Sequence, residues 1–175
     1  MKEASSSIKS FAVEIESLSP LLMNRRGEMG KDLSDEEDAK NKSYFEEKIG
    51  YYLPSDMFIA AMRECGKRHK SKGQATYSKL IPASVFITPD IIPLGRHNFD
   101  AVDKRYAVQQ KKDQILCRRA RFDKWKVAFK MEIDTRIIKK DTALKILTES
   151  GLYNCIGGYR PRFGRFKVVK FAEDN

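Results

Sequence analysis

The sequence predicts an α+β fold of ferredoxin-like type: a βαββαβ chain whose antiparallel sheet carries two helices on one face, with long inserted loops at about 24–50 and 95–120. Three observations lead there. Runs of period-two apolar alternation lie near the start, at 124–133 and near the end; stretches with helical spacing begin near Ser55 and Asp141; and a β-branched run at 83–88 supplies the remaining strand. Residues 1–175 are read as a single domain, of a size that can bury one core.

In chain order, Phe11, Val13 and Ile15 alternate with Ala12, Glu14 and Glu16, which makes a strand. "SPLLMNRRG" follows as an irregular connection bracketed by Pro20 and Gly27, with Arg25 and Arg26 at a basic tip. "LSDEEDAKNKSYFEEK" reads as a short acidic helix capped by Ser34, with acids in the first turn where the helix dipole favours them. It is too polar to add much core, so 24–50 is a long excursion. Ser55 or Asp56 caps the next helix, in which Phe58, Ala61, Met62 and Cys65 share one face, and Lys67, Arg68, His69 and Lys70 load its end with positive charge.

Pro82, Pro89 and Pro93 confine the following strand to about 83–88, at an edge or before a bend. From Gly95 to about Cys117 no period is evident, and with Lys104, Arg105, Lys111 and Lys112 the segment reads as a long basic loop. The clearest strand is "RFDKWKVAFKMEID". It sets Trp125, Val127, Phe129, Met131 and Ile133 on an apolar face and Lys124, Lys126, Ala128 and Lys130 on a basic one. A helix capped by Asp141, buried through Ala143, Leu144 and Leu147 and stopped by Gly151 leads to a last strand from about Arg165 to Phe171.

Composition narrows the functional classes. The chain is 41% hydrophobic, as a folded protein is, but no run reaches the roughly 20 apolar residues of a membrane span. "MKEASSSIKS" lacks a signal peptide's apolar region, so a cytoplasmic protein without a membrane partner is expected. Cys65, Cys117 and Cys155 are widely and irregularly spaced, which suggests reduced thiols instead of a disulfide framework or a CxxC metal site. His69 and His97 have no second ligand nearby in sequence, so neither a zinc site nor a cofactor is expected. The net charge of +10 points to a polyanionic partner, nucleic acid foremost. Residues 28–47 are acidic, and positive charge concentrates at 104–130 and 159–170, as a binding face and a solvated or partner-facing face would divide it.

"GGYRPRFGRF", residues 157–166, packs glycines, arginines and aromatics more densely than a plain turn requires. Glycine permits close backbone approach, arginine suits phosphate and stacking, and aromatic faces hold unstacked bases. Phe163 and Phe166 are assigned to the core, because one side of the last strand must be buried.

Together with "LPSDMFIAAMR" at 53–63, this stretch resembles the paired motifs of the RAMP superfamily of CRISPR-associated proteins. Leu53, Pro54, Phe58, Ala61, Met62 and Arg63 match the motif that opens the first helix. Gly157, Gly158, Arg162, Phe163, Gly164 and Arg165 match the late glycine-rich loop, and "SPLLMNRRG" is similar to the connection after the first strand. Ser55 and Ala60 replace glycines of the first motif, and Pro161 interrupts the second.

The resemblance implies an RRM-like, ferredoxin-like RNA-binding subunit of a ribonucleoprotein. Such a subunit coats single-stranded, guide-like RNA without reading sequence, single-stranded DNA being the other candidate ligand, and works beside other protein subunits in a head-to-tail or heteromeric assembly. The expected contacts are Arg25, Arg26, Arg63, Arg118, Arg119, Arg121, Lys124, Lys126, Gly157, Gly158, Tyr159, Arg160, Arg162 and Arg165. No catalytic residue is assigned. Two alternatives stay open. One is a metal-independent endoribonuclease using His69 with Tyr77 or Lys72, or an aspartate among Asp32, Asp35 and Asp38. The other is a protein-binding mimic or inhibitor of a ribonucleoprotein complex, which the acidic 28–47 segment would serve.

Overall fold

A computed structural model describes residues 7–25, 33–108 and 114–174. Arg26, Gly27, Asp32, Lys111 and Lys112, each singled out above, lie outside the described residues. In chain order the elements are β1 (Ile8–Ser17), β2 (Leu21–Leu22), α1 (Asp35–Asn41), β3 (Phe45–Glu46), β4 (Gly50–Pro54), α2 (Asp56–Gly66) and α3 (Tyr77–Ser84). They continue with β5 (Val85–Thr88), β6 (Ile91–Pro93), β7 (Ala101–Val108), β8 (Gln114–Phe122), β9 (Lys126–Asp134), α4 (Lys140–Glu149), a π-helical turn (Ser150–Asn154) and β10 (Phe166–Glu173).

The fold is mixed α+β with antiparallel sheets. The largest sheet has the order β10-β1-β9-β5, and two three-stranded sheets, β2-β8-β7 and β3-β4-β6, stand beside it. Alternation in β1 and β9 dictates the core: Val13 lies opposite Phe129, Ile15 opposite Val127 and Phe11 opposite Met131. All six are buried, together with Trp125, Ile133 and the α2 face of Phe58, Ala61, Met62 and Cys65. Phe58 seats its ring 4.9 Å from that of Phe129 and 5.7 Å from that of Phe166, which ties α2 to the sheet. Ala143, Ile146 and Leu147 add the buried face of α4.

Several expectations are corrected. The segment 95–120 is not a loop; β7 and β8 form a ribbon pairing Ala101 with Arg121 through Val108 with Gln114. It carries no apolar alternation because most of its length stands clear of the core, with Tyr106 and Ile115 exposed. "RFDKWKVAFKMEID" is two strands: Arg121 and Phe122 end β8, a turn follows, and β9 begins at Lys126. Residues 77–84 form a helix despite Pro82, and Ser84 Oγ donates to the carbonyl of Leu80 at 2.7 Å in its last turn. The strand after it is confined to an edge, as its flanking prolines require.

The 24–50 excursion holds α1 and β3. Neither Ser55 nor Asp141 supplies a cap, since no side-chain capping bond forms at the start of α2 or α4. Ser34 does cap α1, in a reciprocal capping box with Glu37. Leu144 is only partly buried, and Ile146 takes the expected place in the core. Gly151 does not stop α4, which continues as the π-helical turn; a Cβ there would come within 2.4 Å of the Phe166 carbonyl oxygen. The outer sheet face is of mixed sign, because β1 inserts Glu14 and Glu16 between the lysines of β9 and β10; Lys167 pairs with Glu16 and Lys170 with Glu14.

The acidic helix is engaged internally. Asp35 of α1 takes Lys104 from β7 and Arg118 from β8, and Asp38 pairs with Lys42 at 2.7 Å. Hydrogen bonds from Lys104, then Arg118, hold the Asp35 carboxyl below the usual carboxylate range.

Two outcomes follow from this packing. Phe129→Ala should destabilise the protein by about 3–5 kcal/mol in chemical denaturation, as for a fully buried phenylalanine; a loss under about 1 kcal/mol would mean that the α2–sheet contact is not a core contact. Because the folded-state value of Asp35 is depressed, its clasp stabilises the fold above the ordinary carboxylate value and is lost as pH falls through the lowered one. Thermal melts of Asp35→Asn should therefore lie below the parent at neutral pH and fall less steeply below about pH 4. Parallel pH profiles would show that the clasp contributes nothing.

Candidate nucleic-acid interface

The glycine-rich stretch forms a loop between the π-helical turn and β10, and its glycines serve close internal approach. Gly157 (φ 75°) sits where a Cβ would lie 2.5 Å from the Leu22 carbonyl oxygen, and Gly164 (φ 74°) where one would lie 1.8 Å from that of Ile156. The Gly158 amide donates to the Leu22 carbonyl at 2.7 Å, and that of Gly164 to the Pro20 carbonyl at 2.8 Å. These two amides bind the "SPLLMN" connection, so they are not phosphate donors. Phe163 and Phe166 are buried, as assigned; Tyr159, Arg160, Arg162 and Arg165 are exposed.

Tyr159 adopts φ 56°, uncommon for a residue with a Cβ. The Arg105 guanidinium reaches over its ring at 5.0 Å and over that of Phe163 at 4.9 Å. Arg105 is oriented by Asp103, whose carboxylate accepts its Nε–H at 2.8 Å and raises its pKa further. The ribbon thus reaches the loop through a residue that sequence reading left in an unstructured segment. Only the pairing of β7 with β8 reveals it.

Docking of the loop on the connection opens a groove of about 500 Å³. Ile156, Gly157 and Arg160 form one wall, Pro54, Asp56, Met57 and Ala60 of the α2 entrance another, and Asn24 and Tyr44 complete it. All three motif segments therefore converge on one feature. Arg63 is exposed and follows Ala60 by three positions, on the same side of α2. Arg25 is exposed next to Asn24, its amide held by the Lys42 carbonyl at 2.7 Å. Sequence reading missed Asn24, Tyr44 and Met57 as lining residues; only the first two motifs' proximity in space exposes them.

Arg119 differs from the other cations. It is 7% exposed, and its Nε and Nη1 are buried without a hydrogen-bond partner among the described residues. Its Cδ lies 3.4 Å from the Cβ position of Gly158, directly behind the loop. A buried guanidinium so placed is costly unless an acceptor reaches it.

The remaining expected contacts lie elsewhere. Arg118 is spent on Asp35, and Arg121 on Asp123 at 2.5 Å. Lys124 and Lys126 line a second cleft with Glu16, Arg96 and Trp125, so they do not share the groove of Arg160. The loop and the basic strand face therefore front separate clefts.

The candidate catalytic groups are also accounted for. His69 is paired with Glu149: Nε2 lies 2.8 Å from Glu149 Oε2, and the side chain is 15% exposed. Among the described residues, Cys65, His69 and Glu149 form a grouping of metal-ligand type, with ligating atoms within 4.8 Å of one another. This corrects the expectation that His69 has no second ligand at hand. Asp35 and Asp38 are held in ion pairs. No described helix is long and apolar enough to cross a membrane.

Comparison with known proteins yields structural likeness only. No family model matches the chain, and no curated protein matches its sequence. The cryo-EM structure of a Type III-B Cmr-beta bound to cognate target RNA aligns over 95% of this chain and 60% of its own, with 11% identity and a TM-score of 0.60. This chain thus spans less than two thirds of that one. The crystal structure of Cmr6 from Pyrococcus furiosus aligns over 93% of this chain and 98% of its own, with 9% identity and a TM-score of 0.51. At such identities the likeness is one of fold alone: this chain shares the fold of the Cmr-beta and Cmr6 structures.

Proposed function

We propose that this chain binds single-stranded RNA along the groove between the glycine-rich loop and the entrance of α2, as a non-catalytic subunit of a CRISPR-type ribonucleoprotein. The observation that carries this reading is the convergence of three motif segments on one groove lined by Arg160, with Arg25 exposed one residue beyond the lining Asn24 and Arg63 exposed three residues beyond the lining Ala60. The RNA-bound state of the Cmr-beta structure supports RNA as the ligand class. In the finer reading, β1, α2, β5, β9, α4 and β10 are an RRM-like, ferredoxin-like unit, and α1, β3, β4 and the β7–β8 ribbon are insertions around it. The ligand is a guide-like RNA, and neighbouring subunits pack in a head-to-tail or heteromeric array.

Binding is independent of base sequence, because the arginines of the loop act on phosphates, and phosphate contacts carry no base information. Arg160, Arg162 and Arg165 position phosphates and Tyr159 provides a stacking surface, while Arg119 stands behind Gly158 as a buried acceptor-seeking charge. Gly157 and Gly158 contribute by allowing the loop to lie close. Lys124 and Lys126, with Arg96, offer a second phosphate position for a longer strand. Arg118 and Arg121, already paired, add little.

The test is the salt dependence of binding to unrelated RNA oligonucleotides, with single-stranded DNA in parallel. Arg160→Ala with Arg162→Ala should weaken every RNA alike and flatten the log affinity against log salt slope by roughly 1.4. Reversal of Glu36 and Glu37 to lysine should leave the slope nearly unchanged. An arginine double variant that binds as tightly as the parent at every salt concentration would make the loop a structural turn, and tighter binding of DNA would reassign the ligand. Incubation of single-stranded RNA with the protein, with or without magnesium, should give no cleavage, since neither histidine lines the groove. Specific cleavage abolished by His69→Ala would favour the processing-enzyme alternative.

A further inference from the structure

We propose that Cys65, His69 and Glu149 form a binding site for a zinc-class divalent cation at the seam between the end of α2 and the end of α4. The site is independent of the RNA groove. One helical turn separates Cys65 from His69, and the helical sense persists past Gly66 because the amides of Arg68 and His69 donate to the carbonyls of Cys65 and Gly66 at 3.0 and 3.2 Å. Both side chains therefore meet α4 on the same side. Glu149 arrives from the last turn of α4, with Oε2 2.8 Å from His69 Nε2 and 4.0 Å from Cys65 Sγ.

A tetrahedral zinc with bonds of about 2.0–2.3 Å sets its ligand atoms about 3.3–3.6 Å apart. The observed separations bracket that range, so side-chain rotations suffice to close the site. A His–Glu ion pair alone would have no need of a thiol at the same carboxylate oxygen. The donor set also decides the cation: sulfur, imidazole and a single carboxylate suit zinc or cobalt and do not suit magnesium or calcium, which require several oxygens.

Each anionic ligand has an outer partner. Arg68 Nη2 lies 3.6 Å from Cys65 Sγ and is anchored by Asn154 Oδ1 at 2.9 Å, and Lys145 Nζ lies 4.0 Å from Glu149 Oε1. Such partners orient ligands for a metal, and Arg68 favours the thiolate that coordination requires. The cation would have to displace the thiol proton, so affinity should rise with pH. With three protein ligands, water is left the fourth position. The bound cation would pin the turn after α2 to the helix that runs directly into the π-helical turn and the glycine-rich loop.

The experiment uses the full chain, stripped with chelator and titrated with Co²⁺. The expected result is saturation at a single equivalent, with the visible bands of tetrahedral cobalt and a thiolate-to-cobalt charge-transfer band, both abolished by Zn²⁺. His69→Gln and Glu149→Gln, at partly exposed positions, should each weaken binding by more than about tenfold, the scale seen when even an outer-shell partner is lost. Cys65→Ser should remove the charge-transfer band, and Cys117→Ser with Cys155→Ser should preserve it. A folded parent that develops no cobalt spectrum, or a spectrum that survives His69→Gln and Glu149→Gln, overturns the site. RNA binding is read separately, so failure here leaves the groove assignment untouched.

Discussion

The organising constraint of this molecule is the approach of the 156–164 loop to the 18–24 connection. Two backbone bonds hold it, Gly158 amide to Leu22 carbonyl and Gly164 amide to Pro20 carbonyl, while the Ile156 amide closes the loop on itself at the Gly164 carbonyl. At Gly157 and Gly164 a side chain would overlap backbone, and both φ values are positive, so only glycine satisfies space and conformation together. The Arg165 carbonyl extends the contact by accepting the amides of Leu18 and Ser19, and Trp125 donates its indole N–H to the Ser19 carbonyl. The last strand is thereby fixed in register against the first, and the groove that faces α2 exists because this contact does. What looks in sequence like a flexible ligand loop is a backbone clamp whose arginine side chains are left exposed.

Charge is distributed by the same logic. A net charge of +10 suggests broad basic faces, yet most of the acidic residues are interleaved with the lysines and arginines nearest to them. α1 neutralises the root of the ribbon through Asp35, and Glu14 and Glu16 break up the outer sheet face. Ion pairs this exposed contribute little stability each. Their larger effect is to subtract cations from the surface; among the described residues Arg25, Arg63, Arg160, Arg162 and Arg165 form no salt bridge, although Arg63 and Arg160 stand near enough to Glu64 to help hold its carboxyl low. Through Asp35 and Asp38 the acidic helix thus shapes the positive field of the ribbon beside it.

The sheet core was legible because β1 and β9 each bury one face, and burial on one face writes itself as period two. The α2 face was legible for the same reason at helical spacing. What stayed hidden depends on contacts distant in sequence. The β7–β8 ribbon buries little more than its base, so its residues carry no period, and Arg105 became visible only when pairing brought it over Tyr159. α3 was hidden by Pro82, which argues against helix locally and is tolerated because the following strand starts at once. Ser55 and Asp141 have the right side chains for caps but the wrong local geometry. For the candidate site, the motif residues were legible and their meeting point was not.

The ten residues from Gly157 to Phe166 illustrate how one segment can serve packing and recognition without compromise. Glycines and two phenylalanines turn inward, where Cβ atoms are excluded or apolar rings are wanted; arginines and Tyr159 turn outward, where charge stays hydrated. Tyr159 sits at the boundary, in a backbone conformation that disfavours its side chain and beneath a guanidinium carried by another sheet. Strain of that kind persists only when the surroundings over-determine it. Here the Gly158–Leu22 bond on one side and the buried Phe163 on the other supply the determination. An aromatic surface is thus presented at fixed position and at low entropic cost, which is the property that stacking an unpaired base requires.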